Sequence, residues 1–512
     1  MLVLQSKSAK AKRLGKTNKL LRARLLAFVL LVISLCATFS IYFSIRSTSP
    51  TWLRLKGGSV QGATSIDIPR ILDEASRQIK DGEQEVDLRK LGKWELNPEF
   101  GDIKRRAGPH FDWEALADIK HPNFTSWVVR YVDLLRPLLT RDPQSTKPLT
   151  LSRPSNRSLK WNCLDNMYMS GPRPTPARIV DLFLFAYEFD VLEMRLYELD
   201  PLVDVFVIVE TTKSFRNWDK PIMLGAVLDS PRFKRFRHKI VYSVLDDSGR
   251  LRYERHRPAF EDEFSFQRFS RAYLMDKYVE AFGTDNGSTL FIHGDIDEMP
   301  SAEQVAAFKY CLPRQHSLPV ILPTRFVAQN FAWGKLPPGD IQEAPMIFDI
   351  KARGKYSAGL PRPSPSVWGW TLDEPMIGAH MSYFTPVEGD ILKYLSFSGG
   401  GKLPRSRYDR VTAIALAQNP SMGLVFKMCG IRVCCPIDPK YTEKLEQPTF
   451  IPWFADANRH RFPQLFPSSQ ALNVCDYIRG QQDNNRPAFD RALSWAYSRA
   501  IRLKSIHDNA HL

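Results

Sequence analysis

Between Ile179 and His293 the chain alternates short apolar runs with amphipathic ones, and this alternation restricts the fold more than any other feature of the sequence. IVDLFLFAY (179–187), VDVFVIVE (203–210), KIVYSVL (239–245) and TLFIH (289–293) are near-continuously apolar, as strands are when both faces of their sheet are covered. DVLEMRLYEL (190–199) sets Val191, Leu192, Arg195, Leu196 and Leu199 along one helical face, and a longer helix is expected near 261–283. Four strands alternating with helices predict an α/β fold built on a Rossmann-like, doubly wound, mostly parallel sheet. After about residue 318 the pattern loosens, with strand-like PVILPTRFVAQNF and PMIFDI among many prolines.

The fourth apolar run ends in GDIDEMPS (294–301), which sets carboxylates at the mouth of a buried strand. Ser301 with Gln304 three residues on reads as a capping box opening a helix, so that helix does not need Asp295 or Asp297 as its cap. In open α/β sheets ligands bind outside the carboxyl ends of the strands. Asp295-Ile296-Asp297 is the chain's only Asp-x-Asp, and in an extended segment residues two apart point the same way. Hard carboxylate oxygens in that arrangement suit Mg²⁺ or Mn²⁺ bridging a diphosphate. An aspartyl-nucleophile phosphatase also uses Asp-x-Asp at a strand end, but on the first strand and followed by Thr or Val. Here the motif lies on about the fourth strand and Glu298 comes next.

Other polar residues fall near the same sheet edge. In the long helix Leu274, Met275, Tyr278 and Phe282 form an apolar stripe that continues into Arg271, Arg268 and Gln267; these polar residues either snorkel to the surface at the helix end or, through Arg268, reach a diphosphate or base. Glu188 and Glu210 end the first two strands, where they could touch ribose or base or close a strand in water. Asp190 and Glu193 read as a helix cap and its partner.

The N-terminus is organised differently. Residues 1–24 carry eight Lys or Arg and no acid, and residues 25–45 are uncharged over 21 positions, long enough at about 1.5 Å per residue to cross a bilayer's hydrocarbon core. The expected layout is a cytoplasmic tail (1–24), a single transmembrane helix (25–45), a lumenal stem (46–176) ending in a proline hinge, a catalytic domain (177–470) and a C-terminal extension (471–512), in type II topology. Eight of the +16 net charges belong to the tail. The moderate excess left does not call for nucleic acid, and PRFKRFRHK (231–239) reads as solvating a helix end. Six cysteines lie beyond the span and no CxxC occurs, which favours structural bridges over zinc, with fifteen pairings open. Sequons at Asn123, Asn156 and Asn286 are compatible with a lumenal location.

Taken together, FLFAYEFDVLEMRLYELDPLVDVFVIVETTKSF (183–215), EFSFQRFSRAYL (263–274), FIHGDIDEMP (291–300), HMSYF (380–384) and the trailing LKYLSFS (392–398) resemble glycosyltransferase family 17 over roughly residues 179–465. The resemblance implies a GT-A type fold, a UDP-N-acetylglucosamine donor, a divalent metal such as Mn²⁺, a Golgi membrane location, and β1,4 transfer with inversion to a mannose of a glycoprotein N-glycan. It carries over Asp295 and Asp297 as the acidic motif, with Asp297 on the metal and Asp295 on ribose or a metal-bound water. Glu188 and Glu210 carry over as strand-end residues, Arg268 as the helix residue, and His380 near the acceptor. Tyr187 stands where the family usually has Asn, and Gly378-Ala379-His380-Met381 replaces a Gly-Trp-His-Cys pattern. Asp373 and Glu374, in the loop before His380, are the candidates for the catalytic base. Two other readings stand beside this one: a related transferase with another sugar nucleotide or acceptor, and a non-catalytic lumenal protein that binds glycans or escorts another enzyme.

Overall fold

The computed structural model describes residues 106–117, 121–143, 147–155, 159, 163, 169–246, 263–283, 288–314, 318–334, 341–342, 345–350, 370–371, 377–396, 443–445 and 450–467. The expected tail, membrane span and C-terminal extension lie outside them. Among the described residues no helix is long and apolar enough to cross a membrane.

Helices α1 (Trp113–Ala117) and α2 (Phe124–Leu139) precede strand β1 (Met169–Pro172). The expected alternation then appears as β2 (Arg178–Phe185), α3 (Phe189–Leu199), β3 (Val205–Thr211), β4 (Ile240–Leu245), α4 (Glu263–Phe282) and β5 (Thr289–His293). Next come β6 (Glu298–Met299), α5 (Ala302–Tyr310), β7 (Cys311–Pro313), β8 (Val320–Ile321), β9 (Thr324–Ala328), β10 (Trp333–Gly334), β11 (Ile341–Gln342) and β12 (Met346–Asp349). The chain continues through β13 (Trp370–Thr371), β14 (Gly378–Ser382), α6 (Val387–Ser396), β15 (Glu443–Lys444) and α7 (Trp453–Ala457).

The main sheet has seven strands in the order β13-β8-β12-β5-β2-β3-β4. Its parallel part is β5-β2-β3-β4. Beyond β5 the sheet is mixed, since β12 runs antiparallel to both β5 and β8. The chain winds outward from β2 through β3 to β4 and then returns by α4 to lay β5 on the opposite side of β2. The strand order therefore reverses between β2 and β5, which makes their carboxyl ends the place where such sheets bind ligands.

Strand periodicity sorts the core into two layers. Val180, Leu182, Val207, Val209, Phe291 and Phe348 face α4, where they meet Leu274, Met275 and Tyr278. Ile179, Phe183, Phe206, Ile208, Ile292 and Ile347 belong to the opposite layer, packed with α3 and α7. Phe282, expected at the end of the buried α4 stripe, is 44% exposed. It lies under the Arg178 guanidinium, 4.4 Å from ring centroid to Cζ.

A second sheet runs β15-β10-β9-β14-β6, with β11 also on β9. Its strands come from the loosely patterned region after residue 318, where β9 and β14 pair in parallel, and from β6 before it. β14 pairs antiparallel with β6, setting His380 opposite Glu298. Gly378 permits this approach, because a Cβ there would lie 2.1 Å from the Met299 carbonyl oxygen. β1 and β7 form a small antiparallel pair, and Cys163 is bridged to Cys311 across 148 positions. In the chain-entropy view, closing a loop of that size stabilises by about 4–5 kcal/mol.

The boundary expected at residue 176 between stem and domain is not where the core begins. Phe111, Leu116, Val128, Tyr131, Val132 and Leu135 of the expected stem are buried in the same apolar cluster as α3 and α7. Asn458 also pairs with Thr150 in both directions, accepting from its N–H at 2.8 Å and donating to its carbonyl at 3.0 Å. α2 is amphipathic, and the exposed apolar surface it would otherwise present explains why it docks rather than standing free as a stalk. Tyr131→Ala is therefore expected to lower stability by about 3–5 kcal/mol, as for other large aromatics cut out of a core. Urea unfolding measures it, and a value near zero would restore the stalk.

Candidate active site

The site is assembled from the two segments that leave the carboxyl ends of β2 and β5. Glu188 sits between the end of β2 and the start of α3, and the loop 294–297 leaves β5. A single guanidinium fixes the two relative to each other. Arg195, on the apolar face of α3, is fully buried and grips Asp181 of β2 in a two-pronged ion pair, Nε to Oδ2 and Nη2 to Oδ1, both 2.8 Å. Its remaining nitrogen, Nη1, donates to the carbonyls of Asp295, Ile296 and Glu298 at 3.2, 3.2 and 2.8 Å. Strand alternation places Asp181 on the α3 side of the sheet, so one residue ties strand, helix and acidic loop together.

The loop is also locked internally. The Glu298 N–H donates to the Asp295 carbonyl at 2.9 Å, and the Glu298 carboxylate accepts from the Asp295 N–H at 2.6 Å. α5 then opens on the expected capping box of Ser301 and Gln304. As the sequence predicts, neither aspartate serves as the cap.

Each aspartate meets a cation. Asp295 takes a bidentate contact from Arg271 of α4, with Nη2 2.8 and 2.7 Å from its two oxygens. Asp297 is buried, and its Oδ2 accepts from Lys393 Nζ of α6 at 2.6 Å, with His380 Nε2 3.8 Å away. The same ammonium lies 3.8 Å from Glu188 Oε1 and 5.3 Å from the centre of the Tyr383 ring. Burial pushes the Asp297 carboxyl up, but Lys393 and His380 outweigh it and hold the group below the ordinary aspartate range. Burial likewise works against the Lys393 ammonium, and the Asp297 and Glu188 charges overcome it and raise its pKa. Tyr383, under the ammonium, has a left-handed backbone with φ of 62°, a conformation that costs free energy for a side-chain-bearing residue and is enriched at functional sites.

The structure gathers three of the predicted site residues, Asp297, Glu188 and His380, around Lys393, with Asp295 two residues away in the same loop. Of the two roles open to Glu210, touching ribose or base and closing its strand, the contacts seen are those of the second. Glu210 is fully buried, and its oxygens accept from Lys220 Nζ (2.9 Å), the N–H groups of Met223 (2.8 Å) and Leu224 (3.1 Å), and the Tyr242 hydroxyl (2.8 Å). It pins the 220–225 segment to β3 and closes that strand away from water. On α4 the Arg271 guanidinium reaches the acidic loop, and Arg268, one turn earlier, is exposed. Asp373 and Glu374 lie outside the described residues.

Two further expectations change. The side chain at the α3 N-cap, Glu188, caps no helix N–H. Asp190 and Glu193 are not a cap pair but accept from Arg232, at 2.6 and 2.8 Å, and Glu193 also from Arg461. Arg232, expected to be solvated within its basic block, is therefore buried. Burial raises the Glu193 pKa despite both guanidinium groups. No pattern in the sequence singles out Lys393, although LKYLSFS contains it. Arg271 stands on the helix stripe with nothing local to mark its role.

An Asp-x-Asp in such a crevice suggests a divalent ion. Among the described residues no group of three or more His, Cys, Asp or Glu side chains is close enough to hold a metal alone. Mg²⁺ and Mn²⁺ are commonly held by one or two carboxylates together with ligand phosphates. Asp297 fits that mode. One of its oxygens already faces a cation, and the other has no hydrogen-bond partner among the described residues. Asp295, with both oxygens on Arg271, fits it less.

Residues 123–325 match glycosyltransferase family 17. The chain is 27% identical over 253 residues to the beta-1,4-mannosyl-glycoprotein 4-beta-N-acetylglucosaminyltransferases of Rattus norvegicus and Homo sapiens. The match covers 45% of this chain, 44% of the rat protein and 45% of the human one, so the chain spans less than half the length of these relatives.

If Arg195 anchors the acidic loop, Arg195→Met should cost about 3–5 kcal/mol, because it leaves Asp181 charged and unpaired in the interior. Adding Asp181→Leu should recover most of that stability while amide hydrogen exchange at 295–298 stays faster than in the parent protein. Unfolding curves and exchange rates report the two effects separately. Parental exchange in the double variant would show that the loop holds itself.

Proposed function

We propose that the protein, whose residues 123–325 match glycosyltransferase family 17, transfers N-acetylglucosamine from UDP-N-acetylglucosamine to a mannose of a glycoprotein N-glycan, in β1,4 linkage and with inversion. The observation that carries this reading is the meeting of Glu188, Asp295 and Asp297 with Arg271 and Lys393 at the carboxyl ends of β2 and β5. A nucleotide diphosphate leaving group needs a polar, positively supplied crevice at such a place. The parallel β5-β2-β3-β4 core with a second sheet beside it supports a GT-A type arrangement.

In this reading Arg271 holds the Asp295 carboxylate in one orientation for the ribose side of the donor. Asp297 would hold a divalent metal, proposed as Mn²⁺, which when bound neutralises charge developing on the departing diphosphate. His380 lies on the acceptor side. An acceptor hydroxyl loses its proton to a carboxylate, proposed as Asp373 or Glu374, as it displaces UDP in a single step.

The departures at 378–381 do not count against activity. On β14 Ala379 and Met381 belong to the apolar core, whereas His380 is the partly exposed residue between them. The altered positions thus lie on the strand face opposite the crevice. This favours an enzyme over a non-catalytic escort.

The proposed setting is the lumen of the Golgi, with residues 25–45 as the anchor. The Cys163–Cys311 bridge suits an oxidising compartment. The Asn123 sequon is exposed at the start of α2 and its side chain caps nothing.

Calorimetry of the full chain in detergent with UDP and Mn²⁺ tests donor binding. Asp297→Ala is expected to weaken metal-dependent UDP binding by at least about tenfold, as losing a metal's supporting ligand does elsewhere, with an unchanged fold. Unaltered binding would remove Asp297 from the site.

A donor screen combined with NMR of the product tests the chemistry. The expected product is a β-linked N-acetylglucosamine, with the coupling constant of an axial anomeric proton. An α-linked product would contradict the single displacement.

A further inference from the structure

The ion pairs that hold this fold together are closed: Arg195 and Asp181 are wholly inaccessible, and Arg232, Arg461 and Glu193 nearly so. Lys393 is built differently. It meets Asp297 through one contact and Glu188 at longer range, and 21% of its side chain is accessible. An ammonium on a four-carbon stem is a point charge that can be re-aimed, unlike a guanidinium locked in a two-pronged pair. It occupies one oxygen of Asp297 on the side shared with Glu188, and a divalent ion taking the other oxygen of the same carboxylate would come within a few ångströms of it. Two cations on one carboxylate repel, so an incoming ion favours release of the ammonium. Without either one, Glu188, Asp295 and Asp297 would leave the crevice hostile to a diphosphate.

Resting on the proposed function, we propose that Lys393 is a displaceable internal cation. It holds Asp297 and Glu188 in place in the unliganded protein, and its ammonium passes to the donor diphosphate when a divalent ion takes Asp297. Lys393 would then be a donor-binding residue as well as a guard against unproductive metal binding. A fixed structural ion pair makes a different prediction, since its removal would lower stability without changing the order in which metal and nucleotide bind.

The test uses the full chain in detergent and two measurements on wild type and Lys393→Met. Free Mn²⁺ is measured by its electron paramagnetic resonance signal in the absence of nucleotide, and UDP binding by calorimetry at saturating Mn²⁺. Removing the competitor should tighten nucleotide-free Mn²⁺ binding about tenfold, and loss of a charged contact to diphosphate should weaken UDP binding about tenfold. Lys393→Gln, which keeps a hydrogen-bond donor beside Asp297 without the charge, should shift both affinities the same way and serves if the Met variant does not fold. UDP affinity equal to wild type, or Mn²⁺ affinity unchanged or weaker, would overturn the inference while leaving the transferase reading intact. Failure of the wild-type protein to bind UDP at any Mn²⁺ concentration would overturn both.

Discussion

One buried guanidinium sets the geometry on which the site depends. Arg195 satisfies the carboxylate of Asp181 inside the sheet and uses its last nitrogen on three backbone carbonyls of the acidic loop. A buried pair of this kind contributes little net stability compared with apolar side chains of the same shape, because both charges must be stripped of water. Its use is positional. Aspartates in a loop after a strand are free to splay, and three carbonyl contacts from a rigid side chain remove that freedom, so the carboxylates of Asp295 and Asp297 arrive in fixed positions for Arg271 and Lys393.

The second sheet completes the site. β6 comes directly after the acidic loop, and its pairing with β14 brings His380 alongside. Gly378 is needed because β14 presses against the Met299–Ser301 backbone at distances that exclude a side chain. α6, the next element after β14, then returns Lys393 to the crevice. Tyr187, the residue that departs from the family pattern after β2, is buried and shares a hydrogen bond of 2.9 Å with Ser396 of α6. Its bulk thus supports the helix that carries Lys393.

Much of this is legible in the chain, and the limits have a common cause. The four parallel strands are readable because both-face burial leaves an apolar signature, and the capping box at Ser301 because its partners are three residues apart. Arg195 is visible as an oddity on an apolar helix face, but its meaning requires knowing that Asp181 shares that side of the sheet. The Asp190 and Glu193 cap is a sound local reading that loses to Arg232 and Arg461, 39 and 268 positions from Glu193. Glu210 is evident at a strand end without the four groups that enclose it. Lys393 stands 96 positions from Asp297, and no periodicity links them. The part of the expected stem that forms α2 packs into the core because its amphipathic pattern outweighs the prolines around it.

The central claim is that the crevice between the ends of β2 and β5 is where the sugar nucleotide binds. A crystal structure of the protein with UDP and Mn²⁺, with the metal located by its anomalous scattering, tests this most directly. The account predicts an anomalous peak within bonding distance of Asp297, the diphosphate beside it, and Arg271 still paired to Asp295. A nucleotide bound elsewhere on the protein, with the Asp295–Asp297 loop untouched by ligand or metal, would contradict it.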